Sequence, residues 1–164
     1  MEIRYLYLED DLYELSGIYE KSWKFAYKGI LTQDYLDSIP DGRWAESVSR
    51  KGMYNLVATE NGQIIGTCGF CRSRWEKYSH YGEIVSIYFL PEYTGKGFGK
   101  YLLDRAITEL KKMGFRYVLL YVLEENFRAR KFYENYGFVF SGEYMKDVIG
   151  GKEVKEIMYV YHTD

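Results

Sequence analysis

Gly95-Lys96-Gly97-Phe98-Gly99-Lys100 stands between a strand-forming run and an amphipathic helix. A glycine-rich turn at a helix N-terminus offers a row of backbone N–H groups to an anion. Glycine lets the anion come close, and the helix dipole adds about half a positive charge. Lys96 and Lys100 add full charges beside it, so the chemistry is phosphate or pyrophosphate binding. Spacing excludes two common nucleotide loops. A Walker loop begun at Gly95 needs its second glycine where the chain has Lys100, and G-x-G-x-x-G fails at the same residue. Taken alone, the loop also fits a strand-to-helix turn that binds nothing.

The two cysteines, Cys68 and Cys71, form Cys-Gly-Phe-Cys. A redox pair with this spacing works at a helix N-terminus, where one thiol becomes acidic. Here Ile64-Ile65-Gly66-Thr67 leads into the pair and reads as strand, where residues three apart face opposite sides. One pair cannot complete a four-ligand zinc site. Two ordinary reduced thiols and no metal are expected. His80 and His162 have no Cys or Asp in a catalytic arrangement and receive no role.

The elements that must position the loop follow from periodicity. Glu2 to Leu8 reads as a strand. Asp10 or Asp11 caps a helix to about Lys28, with Leu12, Leu15, Ile18, Tyr19, Ser22 and Trp23 on one face. Gly29 stops it. Thr32 caps a short helix through Ile39, and a third helical piece covers about Asp41 to Arg50. Asn55–Thr59 and Gln63–Arg72 flank Asn61-Gly62, a strong hairpin signal. Glu83 to Leu90 is another strand, ended by Pro91. Leu102, Leu103, Ala106, Ile107, Leu110 and Met113 then recur at helical spacing up to Gly114, with Lys111 and Lys112 at the dipole's negative end. Tyr117 to Leu123 is continuously apolar, as in a buried parallel strand. Asn126 caps a helix that Gly137 ends. Phe138–Tyr144 and Glu153–Tyr161 make a last hairpin around Gly150-Gly151. Strands and helices in this order give an α/β sheet with hairpin and crossover connections.

Tyr93-Thr94-Gly95-Lys96-Gly97-Phe98-Gly99-Lys100 resembles the Arg/Gln-x-x-Gly-x-Gly/Ala signature of the GNAT acetyltransferases. Asn126-Phe127-Arg128-Ala129-Arg130-Lys131-Phe132-Tyr133-Glu134-Asn135-Tyr136-Gly137-Phe138 resembles their second signature, Asn-x-x-Ala-x-x-Phe-Tyr-Glu-x-x-Gly-Phe. The C-terminal half matches well, the first half only in element order. Thr94 departs from the usual Arg or Gln, a side chain that braces the loop.

The resemblance implies a GNAT fold: a mixed, twisted sheet of about seven strands, splayed between its central parallel strands, with about four helices. It implies one N-acetyltransferase domain over residues 1–164 and direct transfer from acetyl-CoA to a primary amine, without a metal. The pyrophosphate falls to Thr94, Gly95, Lys96, Gly97, Phe98, Gly99 and Lys100, and the pantetheine arm to backbone groups of Ile87, Tyr88 and Phe89. The Phe89 N–H faces the thioester oxygen. Asn126 is a helix cap and also a contact to the cofactor arm. Tyr133 is the implied acid for the departing thiolate. A phenol near pKa 10 gives its proton to a thiolate whose conjugate acid is near 8.5 at a cost of about 2 kcal/mol. Glu83, opening its strand beside apolar residues, is the candidate base, acting directly or through water; its alternative is a solvated strand-end carboxylate. Trp23, Tyr27 and Tyr35, with Trp44, Asp34, Asp37 and Glu46 nearby, are candidates for an aromatic and acidic acceptor wall, against the plainer reading of a helix corner packed by aromatics. A small amine or polyamine is the favoured acceptor. A protein N-terminus or lysine, or a non-catalytic acyl-CoA-binding role, remains the alternative.

Composition sets the outer limits. The net charge is −2 and no basic run stands out, which argues against nucleic acid as a partner. No stretch approaches the roughly 20 apolar residues of a membrane span, and Met1-Glu2-Ile3-Arg4-Tyr5 has no apolar signal core. A cytoplasmic protein is expected. The 19 tyrosines and the apolar last strand are compatible with a homodimer.

Overall fold

The apolar runs assemble into one seven-stranded sheet in this computed structural model, which describes residues 1–164. Its strands are β1 (Glu2–Tyr5), β2 (Tyr54–Glu60), β3 (Gln63–Arg72), β4 (Gly82–Phe89), β5 (Tyr117–Leu123), β6 (Val139–Ile149) and β7 (Lys152–His162). They lie in the order β1-β2-β3-β4-β5-β7-β6. Only β4 and β5 are parallel, joined by the crossover helix α4 (Phe98–Lys112). Before the sheet's centre come α1 (Leu12–Ala26), α2 (Gln33–Ser38) and α3 (Ala45–Val48); α5 (Phe127–Tyr136) follows β5.

Two helices begin at a side-chain cap, α1 and α5, whereas Thr32, expected to cap α2, makes no capping hydrogen bond. Asp11 accepts from the N–H groups of Tyr13 and Glu14 at the start of α1. Asn126 accepts from Ala129 N at 3.2 Å to open α5. Helix α4 has no side-chain cap: its N-cap is Gly97, at φ 85°. The apolar stripe of α4, Leu102, Leu103, Ala106 and Leu110, is fully buried in a core shared with Leu15 and Ile18 of α1 and Leu56, Ile65, Phe70 and Val118 of the sheet.

Three boundaries differ from the periodicity. β1 ends at Tyr5 rather than Leu8, because Asp10 turns the chain by accepting from Tyr7 N at 2.6 Å and from Arg4 at 2.7 and 2.8 Å. The third helical piece shrinks to four residues after a turn at Asp41–Trp44, and the α-helices number five where the resemblance implies about four. β6 runs on to Ile149, so that Gly150-Gly151 makes a tight hairpin with β7. No helix is long and apolar enough to cross a membrane.

The sheet's central feature is a gap. β4 and β5 pair only at Gly82↔Val118 and Glu83↔Leu119, then separate. The cause is visible across β3, where Gly69 faces Ser86 and Phe70 faces Ile84, leaving Val85 as an extra residue. Such a bulge bends its strand and breaks the local ladder. A central strand is normally buried on both faces, yet Val85 to Tyr88 are half-exposed.

Candidate active site

The gap between β4 and β5 opens into a cleft of about 240 Å³, with Ile84 to Phe89 on one wall and Leu120 to Leu123 on the other. α1 closes it with Trp23, Ala26 and Tyr27, and α5 with Asn126, Ala129 and Tyr133. A second, wider cavity continues from it past Ile87, Phe89 and Tyr133 to Thr94, Gly95, Gly97 and Gly99. Together they form a channel with the glycine loop at one mouth and α1 with the β6–β7 hairpin at the other.

The loop end is built for an anion. Gly95 and Gly97 hold positive φ angles of 79° and 85°, with open space where a Cβ would project. The first N–H groups of α4 have no side-chain acceptor. Lys96 and Lys100 are exposed beside the loop. Arg128 and Lys131 of α5 line the same cavity. The sequence reading missed both cations, although they share a turn and a half with the Asn126 cap. Thr94 braces the loop weakly, donating from Oγ1 to Leu90 O at 3.4 Å.

The strand edge follows from the ladder pattern. Leu90 N donates to Ile65 O, so the opposed residues Phe89 and Gly66 are a non-hydrogen-bonded pair. The N–H and C=O of Phe89 therefore point toward β5, as do those of Ile87. The Phe89 carbonyl is taken by Ser22 Oγ at 2.6 Å, which leaves its N–H facing the cleft. Asn126 caps with Oδ1 and lines the same space, so its amide N–H groups remain for a ligand.

Tyr133 lies where the two cavities meet and is 9% exposed. Its ring packs against Phe132 and Phe138 at centroid distances of 5.2 and 5.7 Å. Burial, then the neighbouring Tyr88 and Cys68, push its phenol pKa far above the ordinary value, and no hydrogen bond opposes them. The hydroxyl stays protonated at any working pH. Handing its proton fully to a thiolate is then steeper than the unperturbed values suggest, while donating a hydrogen bond is not.

Glu83 is neither solvated nor free. It is 1% exposed and accepts three bonds from Arg74: from the backbone N at 2.9 Å, from Nε at 3.2 Å and from a terminal nitrogen at 2.7 Å. Both of its oxygens are engaged by Arg74. Its burial does not fit the alternative of a solvated strand-end carboxylate.

The acceptor-side residues divide. Trp23 and Tyr27 line the cleft, and Trp23 Nε1 donates to Tyr88 OH at 3.1 Å. Tyr35 instead packs under the hairpin tip, where a Cβ on Gly150 would lie 2.3 Å from its ring. Asp34, Asp37 and Glu46 are exposed outside the cleft. The carboxylate that does line it is Glu156 of β7, which the sequence reading did not single out. Burial raises its pKa first, Asp147 adds to that, and Arg74 opposes it.

Cys68 and Cys71 are free and buried on β3. Burial, with Glu83 adding to it, pushes the Cys71 thiol up to about 11, and burial pushes Cys68 higher still. Neither is a ready nucleophile.

Comparison with known proteins agrees with this geometry. Residues 13–138 match the acetyltransferase (GNAT) family model. The chain is 32% identical over 147 residues to the spermidine N(1)-acetyltransferase of Thermoplasma acidophilum, covering 84% of this chain and 88% of that protein. It is 36% identical over 110 residues to the [ribosomal protein bS18]-alanine N-acetyltransferase of Haemophilus influenzae, covering 65% and 71%. Among solved structures, the PaiA N-acetyltransferase of Thermoplasma acidophilum in complex with coenzyme A superposes with a TM-score of 0.77 at 27% identity, covering 98% of both chains. The splayed strands, the uncapped glycine loop and these matches make the chain a member of the acetyltransferase (GNAT) family, an enzyme whose co-substrate is acetyl-CoA.

Proposed function

We propose that this enzyme, acting as one domain, transfers the acetyl group to a primary amine by direct attack within a ternary complex, a small amine or polyamine being the acceptor. The observation that carries the reading is the channel through the β4–β5 gap, cationic at the glycine loop and aromatic with one carboxylate at the other mouth. In this reading the amides of Gly95 through Lys100, followed by Arg128 and Lys131, hold the pyrophosphate. The pantetheine arm lies along Ile87 to Phe89 with Asn126 opposite. The Phe89 N–H polarises the thioester oxygen, and Tyr133 donates to the sulfur as the C–S bond breaks. The buried, weakly acidic cysteines favour direct attack over an acetyl-cysteine intermediate. Glu83 has one of two parts, base once Arg74 releases it or anchor of Arg74, and the pH profile of Glu83→Gln separates them.

An ammonium fits the acceptor mouth through Trp23, Tyr27 and Tyr88, whose ring faces attract cations, and the Thermoplasma spermidine acetyltransferase supports a polyamine. In this reading the enzyme works in the cytoplasm, and the exposed Val139, Phe140 and Val148 on edge strand β6 offer an apolar edge to a second copy. The test is thiol release from acetyl-CoA with spermidine, an alanine-initiated peptide and a peptide carrying an internal lysine. Spermidine is expected to turn over fastest. Faster turnover of either peptide would move the acceptor class to proteins.

A further inference from the structure

We propose that Glu156 is the base of this enzyme, the carboxylate that meets the acceptor's ammonium in the cleft and takes its proton before attack. This rests on the acetyl-transfer reading above. Glu156 lies on β7 opposite Leu123, the last residue of β5, and beside Met145 of β6. It therefore stands where β5 gives way to the loop before Asn126, at the acceptor end of the cleft whose wall it forms with Tyr27, Tyr88 and Tyr133. Burial raises the phenol pKa of Tyr27 and of Tyr88, and the nearby Glu156 carboxylate adds to both. An acceptor entering between α1 and the hairpin thus passes Glu156 on its way to the thioester.

Glu83 and Glu156 differ in what holds them. Glu83 accepts three hydrogen bonds from Arg74, whereas no hydrogen bond or ion pair engages the Glu156 side chain. The groups facing Glu156 are Asp147 from β6, Arg74 from the β3–β4 connection, Tyr88 from β4 and Tyr27 from the end of α1. Burial and Asp147 favour its protonated form, and Arg74 opposes them. A carboxylate so placed is a stronger base than an exposed one. An arriving ammonium would supply the counter-charge that the site lacks.

The steps balance as follows. The acceptor's R–NH₃⁺ gives one proton to the Glu156 carboxylate, leaving a neutral amine and a carboxylic acid. The amine lone pair forms the C–N bond to the thioester carbonyl. The C–S bond then breaks, the sulfur takes its electrons and is received by the Tyr133 hydroxyl. One N–H proton of the adduct passes to the sulfur. Glu156 releases its proton to solvent, and the products are the acetamide, free CoA thiol and that proton.

The test compares wild type, Glu156→Gln, Glu156→Asp and Glu153→Gln. Glu153 sits on the same strand, paired only with Lys146 at the surface. Initial rates of thiol release are followed from pH 5 to 9 with spermidine and the two peptides. Removal of a base costs about 10²–10⁴-fold. We expect kcat/KM for the amine to fall about 100-fold or more in Glu156→Gln. The loss of rate that the wild type shows as Glu156 protonates should be absent from its profile. Glu156→Asp should recover part of the rate, Glu153→Gln should match wild type, and the acetyl-CoA thermal shift should persist in all four. A Glu156→Gln enzyme within about twofold of wild type, or one impaired only in KM with its acid limb intact, overturns the proposal. A wild type that releases no thiol with any of the three amines overturns the acetyl-transfer reading and takes this one with it.

Discussion

Replacing Tyr133 by Phe removes one oxygen from the junction of the two cavities. The ring and its contacts with Phe132 and Phe138, at 5.2 and 5.7 Å, are retained. Because no hydrogen bond within the protein acts on the hydroxyl, its loss strands no partner, and stability should change by less than about 1 kcal/mol. The effect on rate is separate. If the hydroxyl donates to the sulfur as charge develops there, its removal resembles the loss of one oxyanion-hole donor, about 2.7–4 kcal/mol, or 10²–10³ in kcat. Burial holds the phenol protonated, so the fall should be alike across pH 6–9. Melting temperature, acetyl-CoA affinity and kcat are measured on the same preparation with the best acceptor. A kcat within about twofold of wild type would refute the assignment and leave Tyr133 as core packing.

Other perturbations probe the remaining parts. Acetyl-CoA at about 100 times its dissociation constant should stabilise the enzyme by about 2.7 kcal/mol, and Gly97→Asp should erase that shift in melting temperature by setting a carboxylate where the pyrophosphate sits. Gly66→Ala should cost about 1–3 kcal/mol in urea unfolding and weaken acetyl-CoA binding, because the added Cβ would lie 2.5 Å from the Phe89 ring. Arg74→Ala should destabilise by about 2 kcal/mol, since it strips the 1% exposed Glu83 of its ion-pair partner, with half-exposure of Arg74 tempering the loss. Asp10, held below its ordinary pKa chiefly by the Arg4 hydrogen bond, should contribute stability that is full above pH about 4 and fades as the pH falls below it. Asp10→Asn should therefore lose stability at pH 7 and approach wild type as the pH falls well below 4, as read by denaturant titration.

What the sequence revealed depended on the distance over which each signal acts. The glycine loop, the Asn126 cap and the Asn61-Gly62 hairpin are local, and each lies where its residues indicate. The gap beside them was expected only from family resemblance, because its cause, the bulge at Val85, is set by the pairing of β4 with β3. Arg74 lies nine residues from Glu83, across a connection whose shape no periodicity specifies, so the sequence did not disclose it as the partner of Glu83. Glu156 acquires its place because β7 inserts between β5 and β6, an order that no stretch of β7 encodes. Tyr35 is displaced from the expected wall by Gly150, a contact between residues 115 positions apart.

The account stands or falls on whether the channel supports transfer as well as binding. The most direct measurement is amine-dependent release of CoA thiol from acetyl-CoA, with mass detection of the acetylated amine. The account predicts saturable release in the presence of a primary amine, one acetyl group gained by that amine for each thiol released, and near silence when the amine is omitted. Tight binding of acetyl-CoA with no thiol released by any amine would contradict it and leave an acyl-CoA-binding protein in its place.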